Sequence, residues 1–471
     1  MKKLNELYNV DSNVVINAIK INSKEVKKGD LFICTMGVNA DRHDFIDDAI
    51  KNGAAAIVVS KDVGEKSVPI IKVSDTNKEF RSLCARFYDF PYKKLEMIGV
   101  TGTNGKTTTA ELIYQLIGNS CAYIGTNGKK YNGMEESIRN TTPDIDRLYP
   151  YFNEFIDAGC KTVCMEASSE AFFRHRLDQI SFDIAVLTNI TQDHLNIHKT
   201  LENYIDCKCQ LFRQVKNNGY SILNSSDKHF EEVKRCANGK VLTYGFLVSD
   251  DLIIKDYEEL VDGTNITLRY DKKDYKVKSP LIGSFNVFNL VAAILVCLCR
   301  KMNMEDILKN VQKLNQVKGR MEILPFTNKY TVMLDYAHTP DALDKILTYL
   351  NEVKKGRIIT VTGSAGGRET EKRPDMGKIV LDKSDYVIFT MDDPRYEDVN
   401  KIIDDLIKNS KNTNYERIID RKEAIYKALS LAKEGDIILI AGKGRDNYMA
   451  LKNEYVPYCD YDVIKSYYDK N

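Results

Sequence analysis

A short glycine loop between an apolar run and a run of threonines constrains this chain more than any other feature. The segment reads MIGVTGTNGKTTTAEL over residues 97–112. Its first four residues predict a strand, Gly102 and Gly105 predict a tight turn, and Lys106 opens a predicted helix. The backbone amides of such a loop turn inward around a phosphate, the helix dipole adds positive potential, and a threonine hydroxyl can bind Mg²⁺. The sequence therefore predicts a nucleotide-phosphate site.

The loop is shorter than the common phosphate-binding pattern. Two residues separate Gly102 from Gly105, whereas G-x-x-x-x-G-K-[ST] has four. A plain glycine turn before a helix is the alternative interpretation, and the strand before the loop and GKTTT after it favour the phosphate site. The nucleotide contacts predicted in this loop are Gly102, Thr103, Asn104, Gly105, Lys106, Thr107 and Thr108.

Length and charge limit the remaining possibilities. A chain of 471 residues is too long for one ordinary domain. Its 68 basic and 67 acidic residues argue against a nucleic-acid or membrane-surface binder. Eleven cysteines without a C-x-x-C pair, and no apolar leader, predict reduced thiols and a cytoplasmic location. The apolar stretch at residues 281–299 is too short to span a bilayer and is predicted to form a buried helix.

In the middle of the chain, apolar runs repeatedly end in polar residues. Residues 162–165 lead into Glu166, and residues 184–187 lead into a segment that contains His194. The carboxyl ends of parallel strands meet at one edge of a sheet, where ligands bind. We therefore expect Glu166, His194 and Thr107 to share metal and phosphate. A solvated loop residue is the alternative for each acid or histidine taken alone.

The first 94 residues alternate strand-like and helical stretches, which predicts a small α/β domain. The strand-like runs lie at residues 30–35, 54–60 and 69–73. Two loops, Asn22-Ser23-Lys24 and residues 37–44, combine small residues with polar donors. Surface turns and a ligand site both remain open for them.

From about residue 319 the pattern becomes Rossmann-like. Strand-like runs are predicted at residues 330–334, 357–362, 386–390 and 436–441, and helices at residues 340–353 and 401–408. Arg368 and Arg395 can clamp a carboxylate through bidentate hydrogen bonds, and Asp446 can accept an ammonium group. Such a pocket suits a diamino acid that carries a carboxylate, without fixing which one.

A series of motifs along the whole chain resembles the Mur ligase family, which uses ATP to join amino acids to a nucleotide-linked cell-wall precursor. In order they read TGTNGKTT, NTTP, MEASS, TNITQDH, GSFNVFN, KGRME, DYAHTPDAL and GGR-x-x-x-x-KRP. The resemblance implies an α/β fold of three domains. These are a uridine-nucleotide domain at residues 1–94, a central P-loop ATPase domain with a parallel sheet at residues 95–318, and a Rossmann-like amino-acid domain at residues 319–471.

The resemblance also implies the site residues. The implied catalytic residues are Lys106, Glu166, His194 and Lys208. The implied magnesium ligands are Thr107, Glu166, His194 and Lys208, the last at the spacing of the family's carbamylated lysine. Further implied ATP contacts are Asn289, Arg320, Asp335, Tyr336 and His338. Implied contacts to the UDP-linked substrate are Asn22, Ser23, Lys24, Asn140, Thr141, Thr142, Ser168 and Arg176. Implied contacts to the amino acid are Arg368, Asp392, Asp393, Arg395, Gly442 and Asp446.

Several positions depart from the family's motifs, and two of the replacements, Glu170 and Asn196, change the charge near the phosphates. Glu170 stands in place of His, Asn196 in place of Asp, and Lys318 in place of Pro. Further replacements are Arg174 for Gln, Asp393 for Asn, Arg445 for His and Asp446 for Glu.

As a whole, the resemblance implies an ATP- and Mg²⁺-dependent ligase of peptidoglycan precursor synthesis. It would add a diamino acid to UDP-MurNAc-L-Ala-D-Glu through an acyl phosphate, and Arg395 favours meso-diaminopimelate over L-lysine. We expect a cytoplasmic monomer with small-molecule substrates, no nucleic-acid partner and no membrane insertion. The alternatives are a Mur-like ligase for another carboxylate, a folylpolyglutamate-synthase-like ligase and a catalytically silent nucleotide-binding homologue.

Overall fold

A computed structural model describes residues 1–37, 41–138, 140–260, 262–452 and 454–470. Of the second predicted ligand loop, at residues 37–44, the stretch 38–40 lies outside the described residues. Across the described ranges, no helix has both the length and the apolar character that a membrane crossing requires.

The amino-terminal region forms a small parallel sheet. Its strands are β1 (Lys2–Lys3), β2 (Val15–Ile16), β3 (Ile19–Lys20), β4 (Leu31–Ile33), β5 (Ala56–Val59) and β6 (Ile70–Lys72), and its helices are α1 (Leu4–Leu7), α2 (Ile46–Lys51) and α3 (Thr76–Phe87). Short 3₁₀ helices cover Ser23–Glu25, Arg42–Phe45 and Pro91–Lys94. The sheet order is β3-β4-β5-β6, while β1 and β2 form a separate antiparallel pair. Strands β4, β5 and β6 lie inside the three predicted runs.

The central region contains a larger, mixed sheet. Its strands are β7 (Glu96–Thr101), β8 (Cys121–Gly125), β9 (Gly128–Tyr131), β10 (Met134–Glu136), β11 (Thr162–Glu166), β12 (Phe182–Leu187), β13 (Val215–Asn224), β14 (Lys240–Gly245), β15 (Leu252–Leu260), β16 (Gly263–Tyr270) and β17 (Lys273–Ser279). The order is β10-β9-β8-β11-β7-β12-β13-β14-β15-β16-β17. In this order, neighbouring strands from β8 through β15 are parallel. The pairs at the two ends of the sheet, β10-β9-β8 and β15-β16-β17, are antiparallel. The predicted parallel sheet is confirmed, and the antiparallel wings are an addition to it.

Helices cover both faces of the central sheet. They are α4 (Lys106–Ile117), α5 (Ile145–Asp157), α6 (Ser169–Phe173), α7 (Leu195–His198), α8 (Leu201–Arg213), α9 (Phe230–Cys236), α10 (Ser284–Cys299) and α11 (Met304–Val311). Helices α4 and α10 share one apolar core, whereas α5 and α8 belong to another that also includes α3. The amino-terminal region therefore packs directly on the central one. Helix α10 is buried over most of its length, as predicted for this apolar stretch.

The carboxy-terminal region is a second, mainly parallel sheet between two helix layers. Its strands are β18 (Glu322–Leu324), β19 (Thr331–Asp335), β20 (Ile358–Thr362), β21 (Tyr386–Phe389), β22 (Tyr415–Arg417), β23 (Ile437–Ala441), β24 (Tyr448–Leu451) and β25 (Glu454–Pro457). Its helices are α12 (Pro340–Val353), α13 (Arg373–Lys383), α14 (Val399–Ile407), α15 (Arg421–Leu431) and α16 (Asp460–Tyr468). The order of the sheet is β18-β19-β23-β20-β21-β22, and among these six strands β18 is antiparallel to its neighbour while the other pairs are parallel. Strands β24 and β25 form a separate antiparallel pair. Helices α12, α13 and α14 pack on one face, and α15 and α16 on the other. The predicted Rossmann-like alternation is confirmed.

Candidate active site

The carboxyl ends of the central and carboxy-terminal sheets open into one cavity of about 1200 Å³. Loops that follow β7, β11 and β12 line one side of the cavity, and loops that follow β19, β20, β21 and β23 line the other. The predicted site residues line this cavity, except Gly102 and the Asn22-Ser23-Lys24 loop. The convergence of parallel strands at one sheet edge therefore explains why most of the candidate residues line the same cavity.

The phosphate loop packs too tightly for side chains at its two glycines. A Cβ at Gly102 would lie 1.9 Å from the Thr188 hydroxyl oxygen, and φ at this glycine is 151°. A Cβ at Gly105 would lie 2.4 Å from Asn289 Oδ1, and φ is 85°. Both positions therefore require glycine, and the second brings Asn289 against the loop.

Lys106 lies over the phosphate loop rather than in solvent. Its Nζ donates hydrogen bonds to the carbonyl oxygens of Gly102 and Thr103, both at 2.9 Å. Burial lowers the pKa of Lys106, and the charge of Glu166 opposes this shift. The loop therefore holds a cation at the entrance of α4, where the helix dipole also favours anions.

Glu166, at the end of β11, is fully buried beside the phosphate loop. Its Oε2 accepts a hydrogen bond from the Thr107 hydroxyl at 3.0 Å, and its Oε1 accepts from Tyr123 Oη at 2.8 Å and from the Thr126 amide at 2.7 Å. These contacts fix the carboxylate and join two of the predicted magnesium ligands. In the described part of the chain, no three His, Cys, Asp or Glu side chains are grouped as a metal site.

Lys208 and His194 also lie beside the phosphate loop. Lys208 is 1% exposed, and its Nζ donates to the Gly102 carbonyl at 2.7 Å. Burial, followed by the charge of Lys106, lowers the pKa of Lys208 well below its usual value. His194 Nε2 is 3.6 Å from Asp193 Oδ2, and burial lowers the pKa of this histidine to about 4. His194 is therefore neutral near pH 7, and burial makes the neutral amine of Lys208 easier to form.

The NTTP loop packs against the residues that follow β11. The Thr142 hydroxyl donates to the Glu166 carbonyl at 2.8 Å and lies 3.1 Å from Ser168 Oγ. Arg176 Nη1 donates to the Thr142 carbonyl at 3.1 Å, and its Nε donates to Asp144. Polar groups of this loop and of Glu166 therefore adjoin each other at the cavity wall.

Contacts across the cavity connect the two sheets. Asn104 Nδ2, in the phosphate loop, donates to Asp341 Oδ2 at 2.9 Å. Arg320 Nη2 donates to the Thr107 hydroxyl at 2.9 Å, and its guanidinium lies 4.6 Å from the centre of the Tyr336 ring. Asp341 was absent from the predicted set, although it lies within the motif DYAHTPDAL, and its partner is 237 positions away.

Asp335 and His338 shape the loop that follows β19. The carboxylate of Asp335 accepts hydrogen bonds from the amides of Met321 and Ala337, both at 2.7 Å. His338 Nδ1 lies 2.7 Å from the Tyr336 carbonyl, and burial lowers the pKa of the histidine to about 3. These bonds hold Tyr336 and His338 at the cavity wall.

Acidic side chains gather around one buried lysine where β21 and β23 end. Lys443 Nζ donates to Asp393 Oδ1 at 2.9 Å and lies 3.7 Å from Asp446 Oδ2. Burial raises the pKa of Asp446 to about 6 and also raises the pKa of Asp392. Lys443 was absent from the predicted set, although it lies within GKGRD between two predicted residues.

Arginines complete this pocket. Arg395 Nη1 donates to the Gly366 carbonyl at 2.6 Å, and both Arg395 and Arg368 line the cavity. The pocket therefore offers cations for a carboxylate and carboxylates for an ammonium group, which is the arrangement predicted from the sequence.

Comparison with known proteins agrees with this geometry. Three family models match the chain: "Mur ligase family, catalytic domain" over residues 15–88, "Mur ligase middle domain" over residues 100–297 and "Mur ligase, glutamate ligase domain" over residues 319–444. The chain is 38% identical over 462 residues to the UDP-N-acetylmuramoyl-L-alanyl-D-glutamate–2,6-diaminopimelate ligase of Bacillus cereus, covering 96% of this chain and 94% of that protein. The chain belongs to the Mur ligase family.

Solved Mur ligases have the same fold. One structure of a UDP-N-acetylmuramoyl-L-alanyl-D-glutamate–2,6-diaminopimelate ligase superposes with a TM-score of 0.68 and 29% identity, over 100% of this chain and 99% of that one. The MurF ligase of Thermotoga maritima, solved with ADP, gives a TM-score of 0.66 and 21% identity, over 91% and 95% of the two chains. The second comparison shows the fold alone.

At two of the positions that depart from the Mur ligase motifs, Glu170 and Arg445, the charged side chain forms an ion pair within the protein. Glu170 Oε1 accepts a hydrogen bond from Arg174 Nε at 2.7 Å, so the two replacements in this segment neutralise each other. Arg445 forms a bidentate pair with Glu322, with Nε to Oε2 at 2.8 Å and Nη2 to Oε1 at 2.5 Å. In this Mur ligase the new charges are therefore compensated within the protein.

The Asn22-Ser23-Lys24 loop lies apart from the cavity lining. Asn22 caps a 3₁₀ helix by accepting a hydrogen bond from the Lys24 amide at 3.1 Å, and Ser23 is buried. The next residue, Glu25, pairs with Arg147 of α5 and so connects the loop to the central region. Nucleotide binding by this loop remains a prediction.

Proposed function

We propose that this Mur ligase uses ATP to join a diamino acid to UDP-MurNAc-L-Ala-D-Glu, with meso-diaminopimelate preferred over L-lysine. One observation carries the proposal: the phosphate loop, the NTTP loop and the pocket of arginines and carboxylates open into a single cavity. Three substrates could meet there. The relatives described above are named for this nucleotide and for 2,6-diaminopimelate. The product would be a precursor of peptidoglycan.

The proposed reaction has two steps. A carboxylate of the UDP-linked substrate attacks the γ-phosphate of ATP, so that an acyl phosphate forms and ADP leaves. Lys106, and Arg320 through its position beside Thr107, would neutralise the charge that develops on the transferred group. The amine of the diamino acid then attacks the acyl carbon and displaces phosphate.

The residues beside the phosphate loop fit a magnesium ion. Thr107 and Glu166 provide oxygen atoms, which Mg²⁺ prefers, and they lie within hydrogen-bond distance of each other. His194 would bind as a neutral imidazole, because burial lowers its pKa to about 4. Bound Mg²⁺ would supply positive charge to the phosphates. We assign these three residues and Lys208 as its ligands.

Carbamylation of Lys208 is part of the proposal. A carbamate forms when a neutral amine attacks CO₂ and loses a proton. Burial lowers the pKa of Lys208, which favours the neutral amine that this reaction needs. The carbamate would replace the amine of Lys208 with an anionic oxygen ligand for metal beside Lys106.

The amino-acid pocket would select by charge. Arg395 and Arg368 would bind a carboxylate of the diamino acid, and Asp446 would accept an ammonium group. The pKa of Asp446 is raised to about 6, so this side chain is still mainly ionised at pH 7. L-Lysine lacks the second carboxylate, which is why the pocket would favour meso-diaminopimelate.

We further propose that the three domains span residues 1–94, 95–318 and 319–471. The segment at residues 317–322 would serve as the hinge between the second and third domains. The protein would act as a monomer in the cytoplasm, with small-molecule substrates and no nucleic-acid partner.

Phosphate release measures the proposed activity directly. With ATP, Mg²⁺ and UDP-MurNAc-L-Ala-D-Glu present, we expect turnover with meso-diaminopimelate, weaker turnover with L-lysine or L-ornithine, and none without an amino acid. Mass spectrometry of the nucleotide product identifies the bond formed. If the protein bound ATP but showed no turnover with any of these amino acids, the proposed substrates would be wrong. A Mur-like ligase for another carboxylate would then be favoured.

Asp393→Asn is expected to leave the amino-acid preference unchanged within about 3-fold, because the new side chain keeps the hydrogen-bond acceptor. Both bonds that Asp393 accepts, from Lys443 Nζ and from the Ala450 amide at 2.9 Å each, end on Oδ1. The measurement compares kcat/KM for meso-diaminopimelate and L-lysine between the variant and the wild type. A large shift of this ratio toward either amino acid would show that Asp393 itself contacts the substrate.

A further inference from the structure

A buried ion pair lies directly beneath the amino-acid pocket. Arg421 is the first residue of α15, and Asp460 is the first residue of α16. Arg421 Nε donates to Asp460 Oδ1 and Nη2 donates to Oδ2, both at 2.8 Å. Neither side chain is exposed to solvent. Tyr458 Oη also donates to Asp460 Oδ1, at 2.9 Å, so the carboxylate is fixed from a third direction.

The guanidinium of Arg421 also binds backbone carbonyls where the two amino-acid loops begin. These loops are residues 391–395, after β21, and residues 442–446, after β23. Nη1 donates to the Met391 carbonyl at 3.3 Å, and Nη2 donates to the Ala441 carbonyl at 2.9 Å. Met391 precedes Asp392, and Ala441 precedes Gly442. One side chain therefore connects the starting points of the two loops that carry the candidate ammonium and carboxylate contacts.

The two loops also touch each other above Arg421. A Cβ at Gly442 would lie 2.2 Å from Asp392 Oδ2 and 4.0 Å from Arg421 Nη2. The two amino-acid loops are therefore close together at this point. A small displacement at the start of either loop would change the distance between Asp392 and the segment that ends at Asp446.

Stability alone does not account well for such a pair. Two charges lose their hydration when they are buried, and apolar residues of similar volume often stabilise a fold as much. An apolar pair could not bind two carbonyl groups in fixed directions, whereas the planar guanidinium does so through separate nitrogen atoms. The bonds of this pair therefore provide geometry that packing would not.

We propose that Arg421, held by Asp460, is a positioning residue that sets the spacing between the two amino-acid loops of the active site. The identity of the ligand in this pocket rests on the function proposed above. The spacing itself rests only on the contacts of Arg421. The carboxy-terminal helix α16 thereby contributes to substrate recognition through its first residue, without touching the substrate.

Steady-state kinetics with each substrate varied in turn test this role. For Arg421→Gln we expect the KM for the diamino acid to rise at least about 10-fold, because small displacements of binding groups are costly, while the KM for ATP stays within about 2-fold. Asp460→Asn keeps the shape of the side chain and removes its charge, so it should show the same selectivity to a smaller degree. Arg421→Lys should recover part of the loss, because one donor group remains.

Arg357→Gln is the matched control. Arg357 also binds an aspartate and a carbonyl, Asp436 Oδ2 at 2.6 Å and Leu431 O at 2.8 Å, but at the opposite edge of the same sheet. We expect this variant to leave all KM values within about 2-fold of the wild type. An equal rise of every KM in a folded Arg421→Gln or Asp460→Asn protein, or no rise at all, would overturn the proposed role.

Amide hydrogen exchange provides a readout that does not depend on the reaction. In Arg421→Gln, exchange should accelerate in residues 391–395 and 442–446 and not in residues 101–109, whereas Arg357→Gln should leave all three segments unchanged. Exchange unchanged in both amino-acid loops would overturn the inference even if the wild type proved inactive on every amino acid tested. Loss of wild-type turnover with the exchange pattern intact would instead overturn only the proposed function.

Discussion

Lys106→Met is expected to lower kcat for ATP-dependent phosphate release about 10²- to 10³-fold, the effect of removing one charged donor aimed at a developing charge. Lys106 Nζ lies over the phosphate loop, bonded to the carbonyls of Gly102 and Thr103. Methionine fills a similar volume with an unbranched chain and removes only the ammonium group. The measurement is phosphate release at saturating substrate, together with calorimetric ATP binding.

Lys313→Met serves as the control for this variant, because Lys313 is exposed and is not part of the cavity lining. We expect its kcat to match the wild type, and we expect both variants to unfold at nearly the same temperature. If folded Lys106→Met retained more than a tenth of the wild-type kcat, the phosphoryl charge would have to be neutralised by other groups, and the assignment of Lys106 as a catalytic residue would fail.

Arg395→Met is expected to lower kcat/KM for meso-diaminopimelate about 100-fold, since truncating one partner of a hydrogen-bonded charge pair costs about 2–5 kcal/mol. For L-lysine, which lacks the second carboxylate, the same variant should lose less than about 5-fold. Arg395 uses Nη1 to hold the Gly366 carbonyl, and the other nitrogen atoms of its guanidinium have no hydrogen-bond partner among the described residues, so a ligand in the cavity could bind them. The measurement is kcat/KM for both amino acids at saturating ATP and nucleotide substrate.

Arg417→Met is the control for the charge itself. Arg417 lies in the same sheet region and pairs with Asp404 at 2.7 Å on the surface, outside the cavity lining. Its removal should leave both kcat/KM values unchanged. Equal losses for the two amino acids in Arg395→Met would indicate that this arginine binds the carboxylate they share, and the predicted preference for meso-diaminopimelate would then need another cause.

The sequence did not predict the parallel strands β8, β13, β14, β15 and β22. It did predict β7, β11 and β12 of the central sheet and β19, β20, β21 and β23 of the carboxy-terminal sheet, because buried parallel strands are continuous apolar runs. Strand β23, with IILIA, is such a run, and helix α12 (Pro340–Val353) was predicted to the residue. Strands β16 and β17 were not predicted. Their buried residues alternate with exposed ones, as in the β17 segment KDYKVKS, so a search for apolar runs passes over them.

Some residues of the candidate site could likewise be predicted from the sequence, and others could not. Glu166 and Asp392 could be predicted because each directly follows an apolar run, and a parallel sheet brings such positions together. Arg421 could not, because its role depends on Asp460, which lies 39 positions further along the chain, and on two carbonyl groups that no side-chain pattern reveals. The partner of Arg445, Glu322, lies 123 positions away and likewise could not be predicted from the sequence.

In this protein, the residues that would carry out the chemistry and the residues that stabilise the fold lie in different parts of the two sheets. The side chains that would react or recognise substrates lie on loops at the cavity, while the strands below them carry the apolar cores. Exchanging one loop could therefore change the acid or the amine that is joined without rebuilding either core. For the evolution of the family, this means that new substrate pairs can arise one side at a time. An inhibitor that contacts both edges at once would need matching changes in two separate loops before resistance could develop.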